Sequence, residues 1–250
     1  TNLYKKIERN LAKKSTKIIA ISEIQKKELS EVHQICPASK IVVIPLGFDL
    51  ARFYTNKEEK RINFRKEWNI NDDEIAIGII GRIVPIKDHS FFVNVIEKVL
   101  QKTSQKIRVF IVGDGEDKSK IQELIGSKKI TYSENKERAT FQFTSWIKEI
   151  DLLNAGMDII CLTSKNEGTP VSLIEAQASG KPIVSTNVGG IENVIIPNKT
   201  GLLSQVGDMN KFSNNLTQLI EDKALRLSME KFGQKKSLQF SYNKLIENTN

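Results

Sequence analysis

Two periods alternate along the 250 residues of this chain. Short runs rich in β-branched residues, bounded by Gly, Pro or Asn, are separated by longer stretches in which apolar residues return every three or four positions. Residues 17–22 read as a buried strand, followed by a helix over 23–32 with Ser22 as its N-cap. Residues 40–45 read as a second strand, closed by Pro45 and Gly47. The segment 51–70 is polar and charged with no sustained period, and reads as a connection with a short helix. Beyond it the alternation is regular: strand 74–80, helix 88–101 with Phe91, Phe92, Val95, Ile96 and Leu100 on one face, strand 107–112 and helix 118–124. It continues through strand 141–143, helix 149–155, strand 157–162, helix 170–179, strand 182–185, helix 191–195 and strand 201–203. Two or three helices are expected from Asp208 onward.

Such alternation predicts an α/β fold, a Rossmann-like parallel sheet with helices on both faces. Ligands of these sheets bind at the carboxyl ends of the strands, where strand order switches. The residues that follow Ile80, Val112, Leu162 and Ser185 are therefore expected to line one crevice.

Two of those strand ends carry candidate chemistry. After Ile80 come Gly81 and Arg82, with Lys87 five residues further on. A glycine turn with a planar guanidinium and a compact ammonium beside a helix start suits a diphosphate; the competing reading is a surface Arg and Lys flanking a turn. After Leu162 the sequence runs from Ser164 through Glu167-Gly168-Thr169-Pro170-Val171-Ser172 to Glu175. Thr169 is placed as an N-cap with Pro170 at the first helical position. Gly168 removes a side chain where a ligand could approach the backbone, and the amides of Val171 and Ser172 point out of the helix start. Glu167 and Glu175 can accept hydrogen bonds from hydroxyls at two ends of an elongated ligand. Glu167 would otherwise serve the helix dipole. Glu175, among Leu173, Ile174, Ala176 and Ala178, needs a partner. Gly113-Asp114-Gly115 reads as a structural turn.

Composition narrows the options. Lys and Arg number 38 against 30 Asp and Glu, a net charge of +8. That balance fits a phosphate-bearing ligand, an anionic membrane face or a Lys-rich solvated surface. No stacking aromatics on a basic helix and no zinc-finger spacing point to nucleic acid, so none is expected as a partner. Cys36 and Cys161 are the only cysteines and His33 and His89 the only histidines, which leaves no disulfide framework or thiolate or histidine metal cluster. There is no GxGxxG, GxSxG or GxxxxGK[ST]. No apolar run of eighteen residues is present, and the start, Thr1 onward, has neither a signal-peptide core nor a methionine, as a piece of a longer chain would. A cytoplasmic location is expected, with Lys5, Lys6, Arg9, Lys13, Lys14 and Lys17 suited to the inner face of a cell membrane and equally to a solvated helix face.

Taken together, these motifs resemble the donor-binding half of a GT-B fold glycosyltransferase of the retaining group 1, or GT4-type, family. The resemblance rests on Glu167 through Glu175 with Ala176, the family's Glu, seven residues, Glu pattern. It extends over Ser179-Gly180-Lys181-Pro182, Val188-Gly189-Gly190-Ile191-Glu192, Gly81-Arg82 with Lys87, Val112-Gly113-Asp114-Gly115, and Asn198-Lys199-Thr200-Gly201 with Gly207-Asp208. Residues 1–52 resemble the tail of the N-terminal, acceptor-side domain with its linker, 53–230 the nucleotide-sugar domain, and 231–250 the C-terminal crossing helix; most of the N-terminal domain would be missing.

The resemblance implies that Arg82 and Lys87 hold the donor diphosphate and stabilise the leaving group. Glu167 would orient the transferred sugar, with Gly168, Thr169, Pro170, Val171 and Ser172 lining the sugar and phosphate. Glu175 would bind ribose, and Trp146 and Ile147 would flank the base. It implies transfer with retention, no cofactor and no metal. The donor would be a UDP-sugar first and a GDP-sugar second, and the acceptor a glycan or a lipid-linked one in polysaccharide or glycolipid synthesis. Neither His33 nor His89 takes a role. Thr169-Pro170 stands where aromatic-Gly is common, and Leu46-Gly47 replaces a commoner Asn-Gly. A nucleotide-sugar-binding module without activity and a sugar-nucleotide epimerase of the same fold are the alternatives.

Overall fold

The fold is that of a computed structural model, in which residues 2–249 are described. Thr1 and the last residue of the expected C-terminal helix, Asn250, lie outside the described residues. The chain divides into two compact units, Thr1–Asp49 with Gln239–Asn250, and Leu50–Leu238. The divisions fall at 49/50 and 238/239, against the expected 52/53 and 230/231. The second differs because one helix runs unbroken through Lys223–Ser237 and packs within the larger unit.

In the smaller unit, α1 (Asn2–Lys14) precedes a parallel pair of short strands, β1 (Ile18–Ala20) and β2 (Ile41–Val43). Between them, Ser22 caps α2 (Glu23–Lys27), its side chain accepting from the Gln25 amide at 3.1 Å. The expected helix 23–32 changes at Glu28 into a π-helical turn, Glu28–Val32. The C-terminal helix, Tyr242–Thr249, belongs to this unit. Phe48 exchanges backbone hydrogen bonds with Phe240 and Tyr242 at 2.8 and 3.1 Å, which joins the two ends of the sequence in one body.

The larger unit opens with α3 (Ala51–Tyr54) and α4 (Lys57–Glu67), where the sequence shows no period. The apolar residues that anchor α4 sit at its far end: Phe64 and Trp68 bracket Phe110 at centroid distances of 5.8 and 5.7 Å. Then follow β3 (Glu74–Ile80), α5 (His89–Leu100), β4 (Lys106–Val112), α6 (Lys118–Ser127), β5 (Tyr132–Ser133) and β6 (Phe141–Ser145). The second half contains α7 (Ile150–Gly156), β7 (Ile159–Leu162), α8 (Val171–Ala178), β8 (Ile183–Thr186), α9 (Ile191–Val194), β9 (Gly201–Ser204), α10 (Met209–Glu221) and α11 (Lys223–Ser237). β5 is the strand the sequence pattern misses, because two residues are too few to carry a period.

β3 to β9 form a seven-stranded sheet in the order β5-β6-β4-β3-β7-β8-β9, every pairing parallel. The α/β fold expected from the sequence is the fold observed. Its central strands are buried on both sides, which is why β3 and β4 read as nearly continuous apolar runs. One face packs α5 and α10, with Phe91 edge-on to Phe212 at 5.6 Å; the other carries α4, α7, α8 and α11. The chain leaves β3 toward β4 on one side and later returns to β7 on the other. That reversal opens the crevice above the carboxyl ends of β3 and β7.

Candidate functional site

Three loops meet above this reversal, and backbone contacts set their spacing. The loop after β3 is laced to its neighbours: the Gly81 amide donates to Val112 O at 2.9 Å and the Ile83 amide to Asp114 O at 2.9 Å. Gly113 is at φ 135°, and a Cβ there would stand 2.1 Å from the Gly81 carbonyl oxygen, so no side chain fits. The Gly-Asp-Gly turn is thus a spacer that lets the loops approach. Ile83 is fully buried beneath the loop while Arg82, next to it, is exposed.

The loop after β7 is stapled to the loop after β3. Thr163, almost fully buried, donates its hydroxyl to Lys87 O at 2.8 Å and Asp88 O at 3.2 Å, and the Lys165 amide donates to Ile86 O at 2.8 Å. Lys165 also pairs with Asp88 at 3.1 Å. The result is one ion pair at the mouth of the crevice: Lys87 Nζ lies 2.5 Å from Glu167 Oε1. The buried Ser164 donates its hydroxyl to the same oxygen at 2.5 Å. The Glu167 side chain is only 10% exposed and that of Lys87 24%, so each charge is shielded from water and compensated by the other.

The third loop, after β8, holds the backbone of Glu167. The Gly190 amide donates to Glu167 O at 3.1 Å. Side chains at Gly189 and Gly190 would come within 1.9 Å of Glu167 O and 2.0 Å of Gly168 O. Of the four strand ends expected to meet, those after Ile80, Leu162 and Ser185 come together around Glu167, and the one after Val112 is laced to the first.

The remaining candidates surround this pair. Among the described residues the Arg82 side chain has no hydrogen bond or ion pair. Gly168 faces open space, since a Cβ there meets nothing within 4 Å. α8 begins at Val171, with Pro170 in the N-cap position at φ −75°, ψ 98° and no side-chain cap. This corrects the expected Thr169 cap with Pro170 as first helical residue. Proline disfavours helical geometry in the residue before it, and Pro170 itself is extended, so the helix starts one residue later. The Val171 and Ser172 amides belong to the first turn of α8, as expected.

Glu175 is half-buried on α8 and makes no side-chain hydrogen bond among the described residues. Burial pushes its carboxyl above the ordinary range, the Arg52 charge pulls it back and Asp151 pushes it up again. Trp146, past the end of β6, is 58% exposed, and its ring lies beside Gly113, with Cη2 3.4 Å from where a Cβ would stand; Ile147 is half-buried. His89 is buried at the start of α5 with both ring nitrogens unpartnered, and burial, aided by Lys87, pushes it down to about 4. It is a neutral packing group. The Cys161 thiol is buried and pushed well up by desolvation. Sequence reasoning assigned nothing to Ser164 or Thr163. A Ser three residues before the Glu, directly after a buried strand, was the available signal.

No group of three or more His, Cys, Asp or Glu among the described residues is arranged to hold a metal ion, and no described helix is long and apolar enough to cross a membrane.

A seven-stranded parallel sheet with helices on both faces and a crevice at its reversal is an α/β build shared with GT-B fold glycosyltransferases. Residues 60–236 match the family described as "Glycosyl transferases group 1", and the chain belongs to that family. It is similar to the Escherichia coli UDP-Gal:alpha-D-GlcNAc-diphosphoundecaprenol alpha-1,3-galactosyltransferase, 27% identical over 230 residues, covering 90% of this chain and 56% of that protein. It is also similar to N-acetyl-alpha-D-glucosaminyl L-malate synthase of Bacillus anthracis, 26% identical over 209 residues, 84% of this chain and 52% of the other. Among solved structures it superposes on a glycosyltransferase from Rickettsia africae with a TM-score of 0.83 at 23% identity, over all of this chain and 65% of the other. The Anabaena protein HepE in complex with UDP superposes with a TM-score of 0.85 at 19% identity, over 98% of this chain and 65% of that one. The chain spans about half the length of the curated relatives it matches.

Proposed function

We propose that this chain carries the donor-binding half of a retaining, GT4-type glycosyltransferase that moves a sugar from a nucleotide diphosphate to a glycan or lipid-linked acceptor. The observation that carries the reading is the Lys87–Glu167 pair at the strand reversal, with Arg82 unpaired beside it. In the proposed complex the pair separates. Lys87 turns to the diphosphate together with Arg82, and Glu167 accepts from the hydroxyls of the transferred sugar. Both charges stay compensated, so the desolvated site exchanges partners rather than gaining a bare charge. As the bond to the sugar breaks, negative charge grows on the leaving phosphate, where the two cations already stand. They would do there what a metal ion does in other phosphate chemistry. Glu175 takes the ribose hydroxyls as its missing partners, and Gly168 to Ser172 line the sugar and phosphate. Trp146 and Ile147 border the base.

UDP is the first candidate carrier and GDP the second. The relatives support UDP: the name of the Escherichia coli enzyme specifies UDP-Gal, and HepE was solved with UDP. The acceptor proposal leans on the same enzyme, whose named acceptor is a diphosphoundecaprenol. A peripheral contact at the cytoplasmic membrane face is proposed for α1, where Leu3, Tyr4, Ile7 and Leu11 are exposed alongside Lys5, Lys6, Lys13 and Lys14. Arg9 is partly committed, donating to the carbonyls of His33 and Gln34.

The test is calorimetric titration of the chain with UDP, GDP and ADP, repeated on Arg82→Ala and Glu175→Ala. One nucleotide should bind and be lost in both variants; binding that survives both would remove these residues from the site. Retention is read from the anomeric configuration of the product made by the full-length enzyme. Donor turned over without acceptor would favour an epimerase, and affinity without nucleotide release a binding module.

A further inference from the structure

The opposite, amino-terminal edge of the same sheet holds a cavity of about 380 Å³ between α4, α8 and α11, next to the starts of β7 and β8. Lys57, Arg61, Lys181, Lys223 and Arg226 line it, against the carboxylates Glu58, Asp158 and Glu230. Two of those carboxylates are committed. Asp158 accepts from Arg61 at 2.8 Å, from Arg65 at 3.1 Å and from the Ala76 amide at 2.8 Å, and Glu230 pairs with Lys57 at 2.8 Å. Among the described residues, three of the five lining cations, Lys181, Arg226 and Lys223, have no carboxylate within ion-pair distance. Lys181 Nζ donates to one neutral partner, Ala155 O, at 3.0 Å. Arg226 Nη1 donates to Leu219 O and Ile220 O at 2.5 and 2.8 Å. Lys223 stands exposed at the rim without a partner.

Burial first, then the Arg61 and Lys57 charges, push the Lys181 ammonium down to about 8, and the pull of Asp158 and Glu230, each already paired elsewhere, does not offset them. Behind the wall Ser179, 2% exposed, has a buried hydroxyl with no hydrogen-bond partner among the described residues. An ammonium from the turn between α8 and β8 and a guanidinium from α11 face one cavity and together match the several oxygens of a tetrahedral phosphate better than a planar carboxylate. The volume is in the ordinary range for small-molecule sites, roughly 300–1,000 Å³.

We propose that this cavity is a second anion site, for a phosphomonoester or diphosphate group held by Lys181 and Arg226, at the edge of the sheet opposite Arg82 and Lys87. The inference does not depend on the donor reading. Leu227 lies in the cavity wall and also begins an exposed apolar strip along α11 with Ala224 and Phe232. The phosphate is therefore carried either by a soluble molecule or by a lipid headgroup.

The probe is pyrophosphate, titrated calorimetrically into the whole chain carrying Arg82→Ala and Lys87→Ala, so that the carboxyl edge does not compete. Binding to one site should persist there and weaken at least tenfold with Arg226→Gln or Lys181→Gln added. Lys223→Gln, exposed and without folding risk, should weaken it about two- to threefold, and the charge-matched Lys199→Gln should leave it unchanged. No binding in the Arg82→Ala, Lys87→Ala background overturns the proposal, as does binding that the Arg226, Lys181 and Lys223 variants leave intact. Sedimentation with vesicles of phosphatidic acid in phosphatidylcholine separates the sources. A fraction lost with Arg226→Gln but kept with Lys199→Gln assigns a headgroup; pyrophosphate binding without that fraction assigns a soluble phosphate.

Discussion

At the amino end of the sheet Asp158 sits between Arg61 and Arg65 and also accepts the Ala76 amide, whereas at the carboxyl end Glu167 shares one oxygen between Lys87 and Ser164. Arg65 is buried and its two Nη groups also donate to the carbonyls of Gly156, Asn71 and Glu74, while its Nε has no partner among the described residues. The network is closed around the carboxylate: both Asp158 oxygens are taken up between α4 and the sheet. Burial pushes the Asp158 carboxyl up, but Arg61, the Ala76 amide and Arg65 outweigh it and hold it below the ordinary range. The Lys87–Glu167 pair is open on one side, and Arg82 beside it is unpaired. The charges paired through Asp158 stabilise the fold, while Lys87, Glu167 and Arg82 on the loops at the strand reversal remain available to a ligand.

The largest expected effect is at the closed network. Asp158→Ala should cost about 3–5 kcal/mol in denaturant unfolding, because it leaves two cations uncompensated, one of them buried. A loss below about 1 kcal/mol would mean that water reaches Arg65 and the network is not closed. Next comes His89, beside the open pair. Its folded value of about 4 lies below the unfolded 6.5. The unfolded chain therefore binds the proton first, and stability falls as pH drops from 6.5 to 4, by about 3 kcal/mol in all. His89→Leu should flatten that part of the stability profile.

At the open end, Arg82→Ala should weaken binding of the preferred nucleotide about ten- to a hundredfold, the scale of a hydrogen bond to a charged group. Unfolding free energy should move by no more than about 0.5 kcal/mol, as for an exposed side chain. A large stability loss would show Arg82 to be structural and would break the contrast. The smallest effect belongs to the staple between loops. Thr163→Val removes the bonds to Lys87 O and Asp88 O while keeping the shape, and should cost about 1 kcal/mol in unfolding.

Much of the carboxyl end is legible in the sequence. The strands that lead there are apolar runs ending in glycine or small polar residues, and Arg82, Lys87, Glu167 and Glu175 stand just after them. The amino end is not legible, because its charges come from segments without a pattern. Arg61 and Arg65 sit in a polar stretch that reads as a connection, and Asp158 is one acid before a buried strand. Nothing local says that they meet. Ser164 is hidden for a similar reason: its role depends on the rotamer of Glu167, which the loops after β3 and β8 fix.

By itself the sequence determined the alternation of strands and helices, the parallel sheet and the strand ends that carry chemistry. Those follow from periodicity and turn residues, which act over a few positions. Only the tertiary structure decided that Lys87 and Glu167, eighty residues apart, form one ion pair. It also decided that Gly113 and Gly189 are spacers for backbone approach, and that unpaired cations gather at the far edge of the sheet. Each of these depends on which strands lie side by side, and that order is set by packing across the whole core rather than by any local run of residues.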